Sequence, residues 1–159
     1  MPTSHRSDGP DQTAALASRL GQALRAGDTV LLSGPIGAGK SHLCRHLIQS
    51  RQRAAGQTPE DIPSPSYTLV QPYVAGTLHI WHTDLYRLGD PSEVAELGLE
   101  EAFDTALVLV EWPDRLGPLR PARALEIVFC PDANDPDTRH LSITPSGPGW
   151  TAALAALIP

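Results

Sequence analysis

The chain has 159 residues, 41% hydrophobic and 19% charged, which excludes a disordered chain and suits a single domain with one core. The formal net charge is −6 and the 12 Lys and Arg are scattered, apart from a small group at Arg45, Arg51 and Arg53, so tight phosphate-driven binding of RNA or DNA is disfavoured. No apolar stretch approaches the roughly 18 residues of a membrane span and the polar start has no apolar leader region, so the expectation is a soluble, cytoplasmic protein.

Residues 1–10 read as a frayed tail. Asp11 or Thr13 is placed to cap a helix whose apolar positions Leu16, Leu20, Ala23 and Leu24 recur at spacings of three and four, and Gly27-Asp28 ends it. Thr29–Leu32 is a short continuous apolar run, as in a strand covered on both faces. A glycine-rich loop follows, then a helix from Ser41 to about Arg53. Residues 54–66 are a loop by composition, and Tyr67–Val74 with Thr77–Trp81 form a hairpin whose Pro72 predicts an edge strand. A short helix at Pro91–Leu97 precedes a second apolar strand, Ala106–Val110. Strands at Ala124–Phe129 and His140–Thr144 flank the polar loop Pro131–Thr138, and Trp150–Ile158 is a terminal helix. Residues 146–159 carry no recognisable motif, and no repeat or second domain is visible.

The stretch Gly34-Pro35-Ile36-Gly37-Ala38-Gly39-Lys40-Ser41 matches G-x-x-x-x-G-K-[ST] at every fixed position, after a strand and before a helix. In such a loop successive backbone N–H groups and the helix N-terminus form an anion nest, and the glycines let backbone approach phosphate closely. Lys40 then reaches terminal phosphates as a point charge and the Ser41 hydroxyl suits Mg2+. The competing reading, a glycine-rich turn with an incidental Lys-Ser pair, is disfavoured by the full match in context. Two acids stand at strand ends, Asp84 after Leu78–Thr83 and Glu111 after Ala106–Val110, as required for a metal ligand and a water-positioning group. Spacing alone does not assign those two roles between them.

Four further motifs follow in order: Ser64-Pro65-Ser66-Tyr67-Thr68-Leu69-Val70, His82-Thr83-Asp84-Leu85-Tyr86-Arg87-Leu88, Leu97-Gly98-Leu99-Glu100-Glu101 and Val110-Glu111-Trp112-Pro113. With the loop, they resemble the TsaE (YjeE) family, the ATPase subunit of bacterial tRNA threonylcarbamoyladenosine biosynthesis. The resemblance runs from the first helix to about residue 117 and more loosely to about 145. It implies an α/β fold, a P-loop NTPase core whose central parallel strands are extended by antiparallel strands, with helices on both faces. It also implies a weak ATPase that uses ATP and Mg2+, yields ADP and acts with TsaB and TsaD. By the same resemblance these partners transfer threonylcarbamoyl to adenosine 37 of tRNA, and ATP hydrolysis is expected to reset them.

By that resemblance Gly34 to His42, with Lys40 at their centre, contact the nucleotide, while Ser41 and Glu111 serve Mg2+ and Asp84 acts on the metal or its waters. Ser64, Pro65 and Ser66 lie in a switch-like loop, and Tyr86, Arg87 and Trp112 are placed for phosphate or partner contact. Asp11 and Thr13 lie where an N-terminal segment approaches the base. Two departures from the family pattern stand in the loop. Ser41-His42 replaces Thr-Thr, with His42 expected to face outward, and Pro35-Ile36 replaces an acidic residue and Leu.

Simpler roles compete for several residues. His79 and His82, three apart on a strand, face opposite ways and share no metal; a hydrogen-bonded structural role suits either. Arg87 is placed to pair with Asp84 or Asp90, and Glu93, Glu96, Glu100 and Glu101 form a solvated acidic face or a dock for a basic partner. Cys44 and Cys130 fall among apolar residues and read as inert. A small-molecule kinase is an alternative function, but the Pro-rich segment 112–140 does not read as a helical lid carrying Arg. A nucleotide-dependent binding switch with incidental hydrolysis is the other.

Overall fold

The computed structural model describes residues 2–158. Its elements are β1 (Thr3–Ser7), α1 (Pro10–Ala23), β2 (Thr29–Ser33), α2 (Lys40–Ala54), β3 (Val70–Ala75), β4 (Leu78–Asp84), α3 (Pro91–Ala95), α4 (Leu99–Thr105), β5 (Leu107–Glu111), β6 (Ala124–Pro131), β7 (Arg139–Ser146) and α5 (Thr151–Ala156). The strands form one seven-stranded sheet in the order β1-β7-β6-β2-β5-β4-β3. The central pairs β6–β2, β2–β5 and β5–β4 are parallel; β3 extends one side antiparallel and β7 with β1 the other.

Strand alternation explains the continuous apolar runs. Val30 and Leu32 of β2, with Leu107 and Leu109 of β5, enter one core with Leu16 and Leu20 of α1 and Leu43 and Leu47 of α2. Leu31, Val108 and Val110 point the other way, into a core closed by Val94 of α3 and Leu99 and Ala102 of α4. Both faces of β2 and β5 are therefore dry, and neither strand needs a polar side. Each buried Leu contributes about 1.5–3 kcal/mol by leaving water.

Several expectations need correction. Residues 3–7 are not a frayed tail: Thr3–Ser7 pairs with β7, and its polar sequence hides the strand because an edge position leaves most of its side chains in solvent. Met1 and Pro159 lie outside the described residues. Neither Asp11 nor Thr13 caps α1; Gly9 holds the N-cap position and Pro10 opens the helix, where a missing N–H costs nothing. Thr13 is instead buried, its Oγ1 2.7 Å from Ser7 Oγ, which ties β1 to α1. The hairpin strand starts at Val70 rather than Tyr67, since Leu69 turns the chain with φ 68°. Cys130 is exposed at the end of β6 rather than apolar-packed, whereas Cys44 is buried.

The C-terminal segment has a packing role, because Trp150, Ala153 and Leu157 close the larger core beside α1. Two of the three basic residues are engaged internally: Arg51 donates to the carbonyls of Gly21 and Leu24, and Arg45 to that of Ile62, while Arg53 is exposed. Among the described residues no helix is long and apolar enough to cross a membrane.

Replacing Leu109 by Ala opens a cavity in the central strand, with an expected loss of about 2–5 kcal/mol. The same truncation at the exposed Val74 changes stability by less than about 0.5 kcal/mol. Urea denaturation of the two variants checks the contrast; equal losses would contradict the placement of the core.

Candidate functional site

Parallel pairing brings three chain segments to one end of the sheet. Leu32 of β2 lies opposite Glu111 of β5, and Glu111 lies opposite Asp84 of β4. The loop that leaves β2 therefore starts beside both acids. It turns through Gly34 (φ 145°), Gly37 (φ 80°) and Gly39 (φ 111°), all on the side of φ that other residues avoid. Gly34 is also tightly enclosed, since a Cβ there would sit 2.8 Å from the Phe129 carbonyl oxygen.

Gly39 stands at the N-cap of α2 without a side-chain cap, so the leading N–H groups of a 15-residue helix remain open to an anion. Lys40 folds back over the loop. Its Nζ donates to the carbonyl oxygens of Gly34 (2.6 Å) and Pro35 (2.9 Å) and lies 4.3 Å from the Trp112 ring centroid. Arg139 braces the loop from outside, its Nε donating to the Ala38 carbonyl at 3.1 Å. Sequence reasoning gave Arg139 no such role, because the contact spans 101 positions and has no local signature.

The two acids differ in their partners. Glu111, 2% exposed, accepts from Ser41 Oγ at Oε1 (2.8 Å) and meets His82 Nε2 at Oε2 (2.6 Å). Asp84 accepts from Ser64 Oγ at 2.9 Å and from the Tyr86 backbone N–H at 3.0 Å, with Ser66 Oγ at 3.4 Å. The Ser64–Ser66 segment thus closes on Asp84, with Pro65 buried between the two hydroxyls.

A cavity of about 880 Å3 opens over these groups, within the range of small-molecule and cofactor pockets. Ile36, Gly37, Gly39, Lys40, Ser41 and His42 line it from the loop, and Asp84 and Glu111 form its floor. Gly34 and Pro35 contribute carbonyls to Lys40, while Ala38 is buried and does not line it. Tyr86, Arg87 and Trp112 stand at the cavity with the exposed Tyr67. Arg87 pairs with neither Asp84 nor Asp90; its guanidinium stacks 4.7 Å over the Tyr67 ring, which keeps it in solvent. Trp112 holds φ 61°, a strained value for a non-glycine, and packs on Tyr86 at 4.8 Å between centroids.

His42 is only half turned outward, since its Nε2 lies 2.9 Å from the Pro10 carbonyl oxygen. A smaller cavity of about 210 Å3 lies between the loop and α1, with Thr13, Asp137 and Arg139 in its lining; Asp11 is exposed and does not line it. His79 is exposed and His82 buried, as opposite strand faces require.

Charge and donor chemistry suit an anion with a hard cation. Burial lowers the Lys40 pKa, and the charges of Glu111 and Asp84 oppose that shift. Because the Ser41 proton is given to Glu111, the hydroxyl lone pairs stay free for a cation, and Ser41, Glu111 and Asp84 together form an all-oxygen set of the kind Mg2+ takes. A second donor set, Cys44, His82 and Glu111, lies within 4.8 Å but is wholly buried. Burial, then the charges of Glu111 and Asp84, push the Cys44 thiol well above its usual range, so it keeps its proton and is a poor ligand.

Gly34→Ala forces a Cβ against the Phe129 backbone at a φ that alanine resists, and a loss of roughly 1–3 kcal/mol is expected. Thermal denaturation checks this; an unchanged melting temperature would contradict the loop geometry.

The family model described as "Threonylcarbamoyl adenosine biosynthesis protein TsaE" matches residues 7–141. The chain is 39% identical over 139 residues to the tRNA threonylcarbamoyladenosine biosynthesis protein TsaE of Rickettsia conorii, covering 87% of this chain and 76% of that one. It is 34% identical over 140 residues to the TsaE protein of a Nostoc species, covering 85% and 81%. The crystal structure of Bacillus subtilis YdiB superposes with a TM-score of 0.79 at 25% identity, covering 99% of this chain and 94% of that one. The chain belongs to the TsaE family of tRNA threonylcarbamoyladenosine biosynthesis.

Proposed function

We propose that the chain is a Mg2+-dependent ATPase that acts with the TsaB and TsaD proteins in forming threonylcarbamoyladenosine at position 37 of tRNA. The observation that carries this reading is the Ser41–Glu111 hydrogen bond beside Lys40, at the mouth of an uncapped helix N-terminus. Loop amides and Lys40 hold the phosphates of ATP. Ser41, Glu111 and Asp84 are the residues that would hold Mg2+ and its waters, and the ion would supply positive charge against the phosphates. Asp84, anchored by Ser64 and the Tyr86 N–H, orients a water toward the terminal phosphorus. The water oxygen bonds to phosphorus, the bridging P–O bond breaks, and ADP, phosphate and a proton leave.

Tyr67, Tyr86, Arg87 and Trp112 around the opening suit contact with a partner that completes the site and raises its slow turnover. Hydrolysis then resets the transferase pair. The exposed Glu100 and Glu101 are a further candidate surface for a basic partner. Net charge −6 supports delivery of tRNA by the partners rather than by this chain, and the site of action is the cytoplasm. A kinase is not favoured, because Glu111 is followed by a 3-10 segment at Pro113–Leu119 and two strands rather than a helical lid.

Lys40→Ala is expected to abolish nucleotide binding in calorimetry. Glu111→Ala should keep binding but slow turnover with TsaB and TsaD by roughly 10- to 100-fold. Wild-type turnover in Glu111→Ala would contradict its assignment. Transfer of phosphate to a small acceptor, without stimulation by the pair, would establish a kinase instead.

A further inference from the structure

His82 is fully buried beside the site and lines neither of the two cavities described above. It is fully buried on β4, opposite Leu109 of β5, and its single side-chain hydrogen bond runs from Nε2 to Glu111 Oε2. Nδ1 has no partner. A carboxylate oxygen can only accept, and a buried N–H without an acceptor is costlier than an unfilled lone pair, so the proton lies on Nε2 and Nδ1 presents its lone pair. Nε2–H is then the donor and Glu111 the acceptor.

Among the described residues Glu111 has two side-chain partners, one on each oxygen: His82 at Oε2 and Ser41 at Oε1. A carboxylate that is 2% exposed has little water to replace either of them. Losing the His82 bond would leave Oε2 buried and unpaired, and the carboxylate would rotate about its terminal torsion to recover a partner. That rotation takes Oε1 away from Ser41. The Ser41 hydroxyl then loses its acceptor, and its lone pairs lose their aim into the cavity.

We infer that His82 is a positioning residue that sets the metal-facing orientation of the Ser41 hydroxyl, acting through Glu111. The relay runs from β4 through the end of β5 to the first turn of α2, so three elements fix one hydroxyl rotor. This rests on the proposed use of Ser41 and Glu111 toward a divalent cation. Because His82 lines neither described cavity, it acts through these two hydrogen bonds.

The test uses the full chain with a nonhydrolysable ATP analogue and Mn2+ as the reporter ion, titrated by electron paramagnetic resonance. His82→Leu keeps apolar volume but removes the donor; His82→Gln keeps an N–H within reach of Glu111. His82→Leu should weaken Mn2+ binding by about 10- to 100-fold while metal-free nucleotide affinity is unchanged, and His82→Gln should recover most of the loss. In wild type, the His82 Nε2–H should appear in nitrogen-edited NMR as a slowly exchanging proton and shift in Glu111→Ala. Equal Mn2+ affinity in wild type and His82→Leu would overturn the inference, as would an equal loss in both His82 variants. If Ser41→Ala and Glu111→Ala weaken Mn2+ binding while His82→Leu does not, only the inference fails. If neither of those two weakens it, the metal site itself is misassigned.

Discussion

Parallel pairing of β2 with β5 is the constraint on which the rest depends. It sets Leu32 opposite Glu111, so the loop leaving one strand and the acid ending the other share one edge of the sheet. In open α/β sheets that edge, beyond the carboxyl ends of the strands, is where ligands bind. The pairing is held by apolar side chains buried on both faces, not by anything in the site. A one-residue slip of β5 would turn every one of its side chains to the opposite face and withdraw Glu111 from Ser41.

On that frame the site is built as a set of restrained charges. Lys40 shares its donors with two loop carbonyls and an indole face, so it is aimed before any anion arrives. Glu111 is held by Ser41 and His82, and Asp84 by Ser64 and a backbone amide. Trp112 carries the backbone strain at the point where the chain leaves β5, and its ring covers Lys40. The charged groups come from strand ends and one helix, and two connections, Ser64–Ser66 and Trp112, close on them.

What the sequence made legible follows from locality. The loop from Gly34 to Ser41 could be read because its chemistry lies in consecutive residues, and Asp84 and Glu111 because each ends an apolar run. Strands β2 and β5 were visible because both of their faces are dry, and the edge placement of β3 because Pro72 cannot complete a ladder. β1 was invisible for the opposite reason: an edge strand of Thr, Ser, His and Arg has no apolar face to betray it. The bracing by Arg139 and the turn of Arg87 onto Tyr67 depend on tertiary approach, which no local spacing encodes. A hydrogen-bonded role for His82 is legible in the sequence, but its bond to Glu111 depends on the β4–β5 register, which spacing does not supply.

The central claim is that Lys40, Ser41 and Glu111 together receive a nucleotide with its metal. The most direct measurement is a crystal structure with Mg2+ and a nonhydrolysable ATP analogue. The account predicts the terminal phosphate against Lys40 Nζ, the metal on the Ser41 hydroxyl, and the bonds of Glu111 to Ser41 and His82 unbroken. Phosphates seated away from the loop, or a metal without contact to Ser41, would contradict it.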